Sequence, residues 1–148
     1  MRNLTSKISL MGLLFALAMA FSYLESMVTI PGMLPGIRLG LSNLVTMYCL
    51  FFLGKGAGYT MAVMKSLFVL LTRGFVAGLL SLSGGILSVT AILLVDWLTK
   101  RTLHYITLSV LGAVFHNVGQ LILARFLTSV FLYYYIPVLI LSGLVVGM

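Results

Sequence analysis

The chain has 148 residues, 61% of them apolar and only 7% charged, with nine Lys and Arg against two acidic residues. A mean hydropathy of +1.21 excludes an ordinary soluble domain, because so few polar side chains cannot cover a water-facing surface, whereas lipid asks for none. A pI near 9.9 would suggest nucleic acid in a soluble protein. Here topology accounts for much of the basic charge, and no aromatic-basic stretch offers a base-stacking surface, so no nucleic-acid partner is expected.

In chain order, apolar runs predict about six spans near 8–24, 37–54, 57–72, 77–97, 103–124 and 131–148. Each is roughly long enough for a tilted or partly re-entrant crossing. Pro31 to Gly36, Gly54-Lys55-Gly56, Arg73-Gly74 and Thr99-Lys100-Arg101 punctuate the breaks, and Pro137 sits early in the last span. The expected fold is a single all-α transmembrane domain over residues 1–148, multi-pass in a cell membrane of prokaryotic type. With the N-terminus cytoplasmic, Arg2, Lys7, Lys55, Lys100 and Arg101 fall inside and Arg38, Arg73 and Arg125 outside, a modest agreement with the positive-inside rule. Arg2, Lys7, the apolar run and Ala18-Met19-Ala20 also imitate a cleavable signal; that alternative would leave five spans. Cys49 stands alone in an apolar run, which reads as a small packing residue, since one thiol makes neither a disulfide nor a redox pair. Asp96 and Lys100 are spaced for an ion pair on one helix.

The ionisable residues inside apolar segments carry the functional signal. A charge at the centre of a membrane helix costs about 2.5–3.5 kcal/mol on insertion scales, so it ordinarily faces a cavity and serves a site. Pro35-Gly36-Ile37-Arg38 sets a turn with Arg38 opening the second helix, where free N–H groups and the helix dipole already favour anions. Asn43 would lie about 7.5 Å deeper along the axis. The plainer reading has Arg38 at headgroup phosphates and Asn43 bonding a neighbouring helix. Lys65 falls mid-span, too deep to snorkel. It is either the floor of a cavity, with Thr72 on nearly the same face and Arg73 at the rim, or a simple partner for Glu25. His116, Asn117 and Gln120 share one stretch of the fifth span, suited to orienting a polar ligand or to joining helices. Glu25 would answer a cationic part of the ligand or neutralise an arginine. Tyr23 and Tyr133 to Tyr135 fit a pocket cap or an interfacial aromatic belt. Ala16 and Ala20 lie on one face of the first helix, a flat surface for another helix.

Catalysis finds little support. No carboxylate pair stands ready for magnesium and diphosphate, no glycine-rich phosphate loop is present, and no nucleophile-base-acid set can be assembled. No catalytic residue, metal or cofactor is expected, and no ATP-hydrolysing machinery is encoded.

Glu25, the PGIRLGLSN segment at 35–43, Lys65, Ser83-Gly84-Gly85 and the run Gly112 to Gln120 together resemble the Gx transporter family, also labelled heptaprenyl diphosphate synthase component I. The resemblance covers nearly the whole chain. It implies a six-helix bundle similar to the substrate-binding S components of energy-coupling factor transporters. In those, an alanine pattern on helix 1, matched here by Ala16 and Ala20, docks a transmembrane coupling subunit that works with a pair of ATPases. The expected function is therefore capture of a small anionic molecule, a vitamin or cofactor precursor. Arg38, Lys65 and Arg73 would neutralise it, Asn43, His116, Asn117 and Gln120 would orient the rest, and Glu25 belongs to the same binding set in one of its two roles. The alternative implied by the synthase label is a noncatalytic membrane subunit of an isoprenoid or quinone pathway.

Overall fold

In the computed structural model, residues 4–27, 40–100 and 103–127 are described, with Pro137, Ile140, Leu141, Leu144, Gly147 and Met148 beyond them. Within the continuously described segments five helices follow in order: α1 (Leu4–Met27), α2 (Leu41–Leu53), α3 (Lys55–Arg73), α4 (Phe75–Leu98) and α5 (Tyr105–Leu127). No strand occurs among the described residues. The first five apolar spans anticipated from sequence are thus helices, several of them longer than their apolar cores. α1 continues to Leu4 and Met27 because Thr5, Ser6 and Lys7 interrupt hydropathy without breaking a helix.

α2 is the exception. It starts at Leu41, not near residue 37, because Gly40 holds φ 94° and ends any continuation from the N-terminal side. At 13 residues it is about 20 Å long. Arg38 therefore does not open this helix; it lies before it, outside the described residues. Of the expected sixth span, Pro137, Ile140, Leu141, Leu144 and Gly147 are helical. Gly147 runs against α5, where a Cβ on it would meet the Val110 Cα at 2.4 Å.

The connections between α2, α3 and α4 are single residues. Gly54 (φ 106°) and Gly74 (φ 94°) each reverse the chain in a backbone conformation that L side chains rarely adopt. Such abrupt turns put α2, α3 and α4 side by side in alternating direction. α4 packs on both α3 and α5, and α1 lies across α2 and α3.

Burial is inverted relative to a water-soluble protein. Leu71, Trp97, Leu13 and Phe126 are among many large apolar side chains left exposed, while Glu25, Lys65, His116, Asn43, Asn117 and Gln120 are buried. Thr5–Glu25 of α1, all of α4 and all of α5 are long and apolar enough to cross a membrane. In lipid, that exposed apolar surface needs no further cover. Cys49 is fully buried among Leu14, Ala18, Val45 and Met61, the packing role its isolation predicted.

Candidate functional site

Helix direction decides which polar residues meet. The C-terminal end of α1, the start of α2, the last turns of α3, the first half of α4 and the second half of α5 converge at one end of the bundle. There Ser22, Glu25, Gly40, Ser42, Lys65, Arg73, Ser81, His116 and Gln120, with Val69 and Ala77, line a cavity of about 20 Å³, room for roughly one water molecule.

Lys65 is the largest fully buried side chain among the described residues, 1% exposed. Its Nζ has no hydrogen-bond partner among the described residues, and the Glu25 carboxylate acts on it through space. Glu25, itself 3% exposed, accepts a hydrogen bond from the Gly40 backbone N–H. This ties the end of α1 to the residue before α2. Arg73, the last residue of α3, donates to the Ser22 backbone carbonyl, placing a cation near the C-terminal end of α1, where the helix dipole favours one. Two cations against one carboxylate leave the lining with a formal positive charge.

His116 and Gln120, one turn apart on α5, meet at 2.9 Å between their Nε2 atoms. With the amide nitrogen as donor, the imidazole nitrogen accepts and the ring keeps its proton on Nδ1. What seats the ring is a helix crossing. A Cβ on Gly119 would lie 2.9 Å from the Gly84 Cα, and one on Gly84 would lie 2.7 Å from the His116 carbonyl oxygen. The two glycines let α4 and α5 touch backbone to backbone, and Ser83 Oγ donates to the Gly119 carbonyl at 3.1 Å across the seam. On the other side the ring lies against Gly40, whose Cβ would come 3.3 Å from His116 Cδ2.

Of the residues singled out from sequence, Glu25, Lys65, Arg73, His116 and Gln120 share this cavity. Asn43 and Asn117 are buried but outside its lining. Asn43 falls in the first turn of α2, and its Nδ2 donates to Ser88 Oγ of α4 at 3.2 Å, the interhelix role held open for it. Arg38 and Tyr133 to Tyr135 lie outside the described residues. Thr72 requires a correction: it is exposed and bonds back to the Phe68 carbonyl at 2.8 Å. The face of Lys65 continues instead through Val69 to Arg73, four and eight residues on. Ser22, Ser42 and Ser81 were not anticipated. For Ser81 a signal existed, since Ser81, Gly84, Gly85 and Ser88 recur every three or four residues as a small, buried face of α4. Ala16 and Ala20 of α1 are both exposed.

Apolar outside, polar within, and built from helices of membrane-crossing length, this is a helical membrane protein enclosing a charged site. The chain belongs to a defined family: the model for heptaprenyl diphosphate synthase component I matches residues 14–148. No curated protein and no solved structure matches the chain.

Proposed function

We propose that the protein is a noncatalytic, membrane-embedded binding subunit that captures a small anionic molecule, of vitamin or cofactor-precursor type, for a transporter of the energy-coupling factor kind. The observation that carries this reading is Lys65: an ammonium enclosed in the bundle, without a hydrogen-bond partner among the described residues, in a lining of net positive charge. Burying an ion costs several kcal/mol, and only close opposite charge and hydrogen bonds offset it. Glu25 supplies part of that compensation. A ligand anion would supply it in the loaded site, with Arg73 as second cation and His116 and Gln120 as orienting groups. Arg38, close in sequence to Gly40, would add a third cation. Among the described residues the cavity lining brings together one carboxylate, one imidazole and two cations, a set able to hold and orient an anion. The exposed Ala16 and Ala20 on α1 would dock a transmembrane coupling subunit, with ATPases supplying the energy.

The test is native and denaturing mass spectrometry of the protein purified in mild detergent. A stoichiometric anionic molecule, lost in Lys65→Ala, is the expected result. A ligand retained in that variant would remove Lys65 from the site. The family description favours a second reading, a membrane subunit that anchors a soluble enzyme of isoprenoid-diphosphate synthesis. It predicts co-purification of that enzyme with no bound small molecule.

A further inference from the structure

Resting on that binding reading, we infer that Glu25 is the resident counter-anion of Lys65: it neutralises the ammonium and holds α1 to α2 until the anionic group of a ligand takes its place. Three observations lead there. The cavity of about 20 Å³ holds about one water molecule, so a carboxylate or phosphate group reaches Lys65 only as the lining rearranges. Glu25 is the only acidic residue in the described lining, so it is the group that an incoming anion replaces with no change in the charge around Lys65. The Lys65 ammonium feels Glu25 through space yet makes no hydrogen bond among the described residues, which keeps its donors for a better-placed acceptor.

Glu25 lies in the last turn of α1, where it accepts from the backbone N–H of Gly40. The fitting ligand class is a molecule with one compact anionic group, carboxylate or phosphate, that reaches Lys65. Competition with Glu25 then sets its affinity. The sign of one substitution separates the roles open to this carboxylate. Glu25→Gln keeps an acceptor for the Gly40 N–H and removes the charge. If Glu25 competes with the ligand, anions bind more tightly to the variant; if it contacts the ligand, they bind less tightly; if it serves the fold alone, affinity stays the same.

The experiment uses the full chain in lipid nanodiscs with Cys49→Ala and a reporter cysteine at Ser81→Cys, which lines the cavity; Ser42→Cys reports on the same space should the first reporter not fold. A negatively charged methanethiosulfonate labels the cysteine, and inorganic phosphate is titrated in as protector. We expect the half-protecting phosphate concentration to fall at least tenfold on adding Glu25→Gln. An unchanged or higher concentration overturns the role of Glu25, and no protection in either protein overturns the binding reading with it. Adding Lys65→Gln to the Glu25→Gln protein distinguishes this failure from failure of the binding reading. Lost protection places the anion at Lys65, whereas persisting protection removes Lys65 as the anion site and takes both proposals with it.

Discussion

At the scale of single residues, the protein concentrates its unfavourable chemistry on Lys65 and its backbone constraint on Gly40. Lys65→Ala is expected to weaken binding of the co-purified anion by about 2–5 kcal/mol, roughly thirtyfold or more, the usual effect of truncating one partner of a buried charged contact. Isothermal titration against wild type, with helicity checked by circular dichroism, measures it. Gly40 combines φ 94°, contact with the His116 ring and donation to Glu25. Gly40→Ala forces an L side chain into the left-handed region, at a cost of about 1–2 kcal/mol, and crowds the imidazole. A lower thermal midpoint together with weaker ligand binding is expected; an unchanged midpoint would show that this turn relaxes freely. The ionisable residues were legible in the sequence because a charge in an apolar run stands out. That Glu25 meets Gly40 was not legible, because a contact between a side chain and a distant backbone N–H leaves no residue-type signature.

At the scale of elements, the crossing of α4 and α5 seats the site. Gly84 and Gly119 meet where any side chain would strike backbone, and backbone cannot move aside as the end of a flexible side chain does. Gly119→Val is therefore expected to push the helices apart, costing about 1–3 kcal/mol as over-packing does, and to displace His116 from the cavity. A thermal melt of the detergent-solubilised protein and a ligand titration check both effects. Lys65→Ala differs in predicted pattern, with binding lost while the α4–α5 crossing stays in place. Element identity was readable from long apolar runs, and the glycine turns at Gly54 and Gly74 matched predicted breaks. The start of α2 was misplaced by about four residues, since Leu, Ile and Arg on either side of Gly40 give no warning that its backbone turns left-handed. For the same reason Arg38 was assigned to a helix that starts after it.

At the scale of the whole molecule, the apolar exterior and the exposed small-residue face of α1 bear on partnership. Under the transporter reading, replacing both Ala16 and Ala20 by Trp is expected to abolish co-purification with a coupling subunit while leaving ligand stoichiometry intact, because neither residue lines the cavity. Affinity purification followed by protein mass spectrometry reads the first and native mass spectrometry the second. Unchanged association would move the docking surface elsewhere; loss of ligand would mean that α1 transmits strain to the site.

By itself the sequence determined the class of protein and the material of its interior. Composition, apolar run length and the scarcity of charge are local properties, and in lipid they dictate helices directly, because every backbone polar group must be satisfied within its own segment. It also marked Glu25, Lys65, His116 and Gln120 as residues needing a reason to be buried, and Arg73 as a cation at the rim. Only the tertiary structure decided which of them meet. Residues 25, 40, 65, 73, 116 and 120 come from three helices and one turn, and their convergence depends on helix direction, on the Gly84–Gly119 crossing and on single-residue reversals. It likewise separated Asn43, bonded to Ser88, and Thr72, turned outward, from the cavity. Spacing along one helix specifies a face, but which neighbour that face meets is a property of the packed bundle.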